Sequence, residues 1–317
     1  MPPAKLKPSD IAAEAKRTYI PYIEQRFPQY PVKSYLYPDS SKLRLTPTNG
    51  QTRRLRVAVI DGDPIDVALD WNEYNQRGSS QLANNAPTES GPIPVVSMAN
   101  EKRAGGDWES GLIAPEECLC RRSNLVHTLS MPACQVSHYP IPTTGGIYSP
   151  HVGTCPVTSD VVCHVLILKA VVFRSGPEKG YNVWSDFKSL PIISVAPIRR
   201  PKLDEAGTEY SFDQERELMK EKMRTVLRIA AAAQHPDVCM GAFGAGPGFR
   251  NPVAQIAAMW KDILFSEPEF EGAFANIVFA IPSAGGSSPT GGPADLEVFE
   301  KEFHPSNIVK TTYRKAD

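Results

Sequence analysis

Two adjacent carboxylates, Glu116 and Glu117, stand behind a glycine-bearing run, Asn100-Glu101-Lys102-Arg103-Ala104-Gly105-Gly106-Asp107, with seven residues between Asp107 and Pro115-Glu116-Glu117. Acidic residues in the first turn of a helix commonly serve only to complement its positive end. Glycosidic chemistry gives them a sharper use, because cleaving such a bond needs a carboxyl group that protonates the leaving oxygen and then activates water. Neighbouring helical residues diverge by about 100°, so one carboxylate can hold a ribose hydroxyl while the other faces the scissile bond. A second stretch runs from Gly241 to Asn251 and carries Gly244, Gly246 and Gly248. Its backbone amides and the following helix can cradle a phosphate; the bland alternative is a tight turn with no ligand. A dinucleotide fingerprint would need an acid at the end of the next strand, which reads Phe279-Ala280-Ile281-Pro282, and a P-loop would need Gly-Lys-Ser/Thr.

These stretches depend on the elements that place them. Strands are expected at 55–60, 93–98, 163–173, 191–196, 238–243 and 277–281. Helices are expected at 65–75, from Pro115 to about Ser130, at 212–234, 252–265 and near 296–303. Residues 9–28 look helical with a kink or stop at Pro21, and a Pro, Ser and Thr-rich arm follows to about residue 50. Alternating strands and helices argue for one α/β sheet covered on both faces. Both glycine loops then follow strands, and ligands of open α/β sheets sit beyond the C-terminal strand ends.

Composition narrows the classes. In 317 residues, 34 Lys and Arg balance 35 Asp and Glu, so no global field is available to hold a nucleic-acid duplex. The longest apolar stretch, Val161 to Phe173, is interrupted by His164 and Lys169 and falls short of the roughly 20 residues of a membrane span. The start has no apolar leader-like segment, and the six cysteines have no C-x-x-C spacing, which favours buried free thiols in a reducing setting. Thirty prolines predict many rigid connections. His151 reads as an exposed loop histidine.

In detail, the chain resembles the catalytic domain of microbial-type poly(ADP-ribose) glycohydrolases, a macrodomain-related family whose signature is three glycines, six to eight residues, then Gln-Glu-Glu. The matching stretch is Gly105-Gly106-Asp107 and Pro115-Glu116-Glu117, continued by Leu119-Cys120-Arg121-Arg122-Ser123-Asn124-Leu125. Later blocks at Tyr148-Ser149-Pro150, Val172-Phe173-Arg174, Ala196-Pro197 and Gly241 to Pro252 follow in family order. The resemblance implies a macrodomain-like three-layer α/β/α fold with a mixed central sheet, a helical and irregular N-terminal extension over 1–50, and a catalytic domain over 51–317. It implies hydrolysis of ribose–ribose bonds in poly(ADP-ribose), with Glu117 as acid/base and Glu116 on the adjoining ribose. Asn100 would lie near the reacting ribose, and Gly105, Gly106 and Asp107 would shape the diphosphate loop. Gly244, Ala245, Gly246 and Gly248 would embrace the diphosphate from the other side, and Phe249 would pack on a ribose. Asp63, in Gly62-Asp63, would contact adenine, a turn or cap role being as good an account. No cofactor or metal is implied. The expected partners are poly(ADP-ribose) or ADP-ribose and ADP-ribosylated proteins, handled by a cytoplasmic or nuclear monomer without membrane or sequence-specific DNA binding.

The family pattern is broken in three places. Asp107 replaces the third glycine and adds a charge that would repel a diphosphate unless it points away. Pro115 replaces the glutamine, and Arg103-Ala104 replaces the usual Asn-Pro. A reader of ADP-ribose without efficient hydrolysis, a hydrolase of singly ADP-ribosylated proteins, and a structural protein with no nucleotide site remain alternatives.

Overall fold

The computed structural model describes residues 7–26, 33–43, 45, 54–81, 91–134, 136–150, 170–283 and 293–312. Its strands are β1 (Tyr35–Tyr37), β2 (Arg56–Ile60), β3 (Val95–Met98), β4 (Gly146–Ser149), β5 (Ala170–Arg174), β6 (Val183–Leu190), β7 (Ile192–Val195), β8 (Asp237–Met240) and β9 (Asn276–Ala280). Seven of them form one sheet in the order β1-β4-β7-β3-β8-β9-β2, parallel from β7 to β2 and antiparallel at β1 and β4. Side chains alternate across such a sheet, and here both faces are covered. Val96, Met98, Ile193, Val195, Val238 and Met240 enter one core; Val95, Ala99, Ile192, Cys239, Val278 and Ala280 enter the other.

The helices are α1 (Pro8–Glu14), α2 (Ile20–Arg26), α3 (Pro64–Gln81), α4 (Pro115–Arg122), α5 (Leu125–Leu129), α6 (Asp213–Ala232), α7 (Val253–Ser266), α8 (Pro293–Glu302) and α9 (Pro305–Thr312). Residues of α6, α7 and α8 fill the first core, and residues of α2 to α5 the second. The expected three-layer α/β/α arrangement with a mixed sheet is therefore present. None of the described helices is long and apolar enough to cross a membrane.

Several expectations need correction. The expected strand at 163–173 is described only from Ala170, and β5 pairs antiparallel with β6 in a separate two-stranded sheet. The single helix expected from Pro115 to Ser130 breaks at Ser123-Asn124, where the chain turns out to meet β5: the Asn124 side chain accepts the Val171 amide at 2.6 Å. Pro21 does not stop its helix. The turn Ala15–Tyr19 widens instead, with the Ile20 amide bonded to the Ala15 carbonyl, and α2 runs on through the proline. Such widened turns let a helix absorb a local misfit. The segment expected as an extension contributes β1 to the sheet edge and buries Ile11, Ala12, Ala15 and Ile23. Cys118, Cys120 and Cys239 are buried free thiols, whereas Cys134 is exposed; Cys155, Cys163 and His151 lie outside the described residues.

Candidate functional site

Strands β3 and β8 are parallel neighbours, so the loops that leave their C-terminal ends stand side by side. The second loop also touches the end of β3: the Gly244 amide lies 3.1 Å from the Met98 sulfur. The first loop, 99–114, wraps the start of α4. Pro115 sits in the opening turn of that helix with Ala114 as the cap residue, a place where a missing N–H costs nothing. Glu116 and Glu117 follow at once, 1% and 6% exposed.

Glu116 ties the loop to the helix. Its Oε2 accepts the Asn100 amide at 2.6 Å and its Oε1 the Gly105 amide at 3.3 Å. Burial pushes its carboxyl up to about 8; the Asn100 amide pulls against that rise and the charge of Glu117 adds to it. Glu117 is held by one oxygen, Oε1 accepting the Asp107 amide at 3.1 Å. No hydrogen bond to Oε2 occurs among the described residues. Asn100 places its side-chain oxygen on the Lys102 and Arg103 amides, at 2.9 and 3.3 Å, a local turn typical of asparagine.

Gly106 has to be glycine. Its φ is +54°, and a Cβ there would lie 2.4 Å from Glu117 Oε1 and 3.3 Å from Asn100 Nδ2. Gly105 is also left-handed, and a Cβ would meet Trp108, Val126 and Cys120 at 3.0 to 3.2 Å. Asp107 directs its carboxylate to Arg103 four residues earlier, and both side chains are largely exposed. The charge that replaces the third glycine is thus neutralised outside the cradle, and only its amide faces Glu117.

The second loop is pinned by Asn251. Its Nδ2 donates to the Gly244 and Ile198 carbonyls, both at 2.8 Å, and its Oδ1 accepts the Tyr210 hydroxyl at 2.8 Å. Gly244 and Gly246 adopt φ near +90°, a backbone open chiefly to glycine. Ala245 is buried, while a Cβ on Gly248 would meet nothing within 4 Å, so the loop opens at that residue. Phe249 is 7% exposed, packed in the core with the Arg199 guanidinium 5.7 Å from its ring centre.

Asp63 serves as a cap. Its Oδ1 accepts the Ile65 and Asp66 amides at 3.0 and 3.1 Å and pairs with Arg122 at 2.8 Å. Arg122 also binds Asp66 at 2.6 Å with its side chain almost fully buried. Between these groups lies a small cleft lined by Asp63, Ile65, Ser97, Met98, Cys118 and Arg122 among others. Ser97 was not singled out from the sequence, since a serine inside an apolar strand carries no signal; its buried hydroxyl has no hydrogen-bond partner among the described residues.

Two glycine loops at neighbouring strand ends of a three-layer α/β/α sheet, one holding a carboxylate pair, define a macrodomain-like architecture. Residues 16–155 match the family model for the microbial-type PARG catalytic domain, which bears out the resemblance read from the motifs. Among solved structures, the poly(ADP-ribose) glycohydrolase of Thermomonospora curvata superposes with a TM-score of 0.62 at 19% identity, covering 93% of this chain and 98% of that one. Its complex with the inhibitor ADP-HPD gives the same values. The Deinococcus radiodurans enzyme in complex with ADP-ribose gives a TM-score of 0.58 at 20% identity, covering 92% and 99%. No curated protein matches the chain.

Proposed function

We propose that this protein is a poly(ADP-ribose) glycohydrolase that hydrolyses the ribose–ribose O-glycosidic bond and releases ADP-ribose, with Glu117 as general acid and then general base. The observation that carries the reading is the half-committed carboxylate: Glu117 is fixed by one amide bond, its other oxygen has no protein partner among the described residues, and Gly106 is kept bare beside it. A proton from Glu117 would pass to the leaving oxygen as the bond to the ribose carbon breaks. The resulting carboxylate would stabilise the oxocarbenium-like ribose and take a proton from the attacking water. Glu116 and Asn100 would shape the ribose side, and the amides of the two loops would hold the diphosphate without a large positive field. The matched family and the ADP-ribose and inhibitor complexes of structurally similar enzymes support the ligand class. In this reading the protein acts as a monomer on free polymer and on ADP-ribosylated proteins in the cytoplasm or nucleus.

The test is incubation with poly(ADP-ribose), wild type beside Glu117→Gln. Turnover by the variant should fall by at least the roughly 10²–10⁴-fold of lost acid/base catalysis, with an unchanged melting temperature. A variant as fast as wild type removes Glu117 from the mechanism. ADP-ribose binding with polymer left intact by the wild type makes the protein a reader instead.

A further inference from the structure

Three exposed arginines stand on the second loop or on the segment bonded to it. Arg199 and Arg200 sit just beyond β7, and Arg250 ends the glycine run. The two segments are tied together: the Arg200 amide donates to the Phe249 carbonyl at 2.6 Å, and Asn251 holds the Ile198 carbonyl at 2.8 Å. Among the described residues none of these three guanidinium groups pairs with a carboxylate, whereas most arginines elsewhere in the fold do. Two acids nearby in sequence are engaged elsewhere: Asp204 accepts the Thr208 and Glu209 amides, and Glu215 accepts the Lys202 amide. Arg200 and Arg250 also hold φ of +52° and +60°, uncommon for a residue with a Cβ. Beside them Gly248 opens onto empty space.

We propose that Arg199, Arg200 and Arg250 form a second anion subsite, which takes the diphosphate of the ADP-ribose unit adjoining the one being released. The inference rests on the glycohydrolase reading above. A guanidinium presents a planar fork to phosphate oxygens, and in a chain with a net charge of -1 a local cluster supplies the positive field that the molecule as a whole lacks. The position against the second loop makes a polymer already threaded into the site its ligand, rather than a duplex lying across a basic face.

The test uses the double variant Arg200→Asn/Arg250→Asn, because asparagine tolerates left-handed backbone, with Arg199→Gln as an independent second variant and melting curves on both. kcat/KM on long polymer at low salt should fall about tenfold in the double variant, and the slope of log(kcat/KM) against log[salt] should flatten by about one for each arginine removed. Affinity for free ADP-ribose, measured by calorimetry, should stay within about twofold. Unchanged polymer kinetics and salt slope in both folded variants overturn the subsite. So does a parallel loss of ADP-ribose affinity, which would place the arginines in the first site. Tighter binding of single-stranded oligonucleotide than of polymer, lost in the variants, overturns it in favour of a nucleic-acid surface. Wild-type protein that binds neither ADP-ribose nor polymer defeats the glycohydrolase reading itself.

Discussion

Glu116 and Glu117 are neighbours with opposite commitments, and the difference is set by amides. Both oxygens of Glu116 are used by the first loop, while Glu117 spends one. A glutamate that ordinarily titrates near 4.5 keeps its proton in the fold until about 8. Between those values the folded protein binds more protons than the unfolded chain, so this group makes stability fall as pH rises through the window, and adds no further slope above it. Glu116→Gln cannot ionise. Its amide turns a donor toward one of the two loop amides, a cost that is the same at every pH, but it removes the slope. The melting temperature of the variant relative to wild type should therefore rise by several degrees from pH 5 to pH 8. A pH-independent difference would mean that Glu116 is ionised in the fold at neutral pH. Asp107 carries a related lesson. Its four-residue spacing from Arg103 was open to reading in the sequence, yet whether the charge faces the ligand or points away was not, because a sequence shows the pair but not the direction in which the loop turns it.

At the scale of elements, each loop has one buried polar side chain that organises it. Asn251 does so for the second loop, closing Gly244 and Ile198 on one side and Tyr210 on the other. Asn251→Ala would strand the Ile198 carbonyl and the Tyr210 hydroxyl in a partly buried place and leave the Gly244 carbonyl with only the residue-251 backbone amide at 3.4 Å, at roughly 1–3 kcal/mol for each group left unsatisfied. The expected result is a urea midpoint lowered by an amount equivalent to about 2–4 kcal/mol and ADP-ribose affinity reduced at least tenfold. Lost stability with intact affinity would show that the loop keeps its shape without this anchor. The loops themselves were legible because their glycines, following apolar strand runs, point to left-handed backbone and strand ends. β1, β4 and β6 were not. They are short or half-exposed, and β6 has the irregular burial of a ribbon outside the main sheet, so neither a continuous apolar run nor clean alternation marks them. The break between α4 and α5 was hidden for another reason: Ser123 and Asn124 leave the helix to pair with Val171 and Val172, a contact nearly 50 residues away along the chain.

For the whole molecule, the question is whether the first residues are an appendage. Composition suggested so, because the Pro, Ser and Thr-rich arm after Tyr30 looks like a linker, and nothing in a sequence reveals what packs beneath it. The described contacts point the other way. Tyr19 stacks on Phe173 with ring centres 4.9 Å apart, and the Arg174 guanidinium lies 4.9 Å from the same tyrosine ring. Glu14 supplies the carboxylate for Arg174, at 2.6 Å, although that arginine side chain is only 1% exposed. Ile11, Ile20 and Ile23 are buried as well. Burying an isoleucine is worth roughly 1.5–3 kcal/mol, so three of them rival the total stability of about 5–15 kcal/mol that holds an ordinary domain folded. A buried guanidinium deprived of its partner adds a further cost. Removing residues 1–26 should therefore give protein that is insoluble or melts at least 10 °C lower, and the polymer-cleaving activity should go with it, since α1 packs against α4 and Lys16 reaches Glu109 of the first loop at 3.0 Å. A truncated protein that melts within a few degrees of the full chain would restore the view of a separable extension. The cores would then have to close over β5 without α1 and α2, leaving Arg174 open to water.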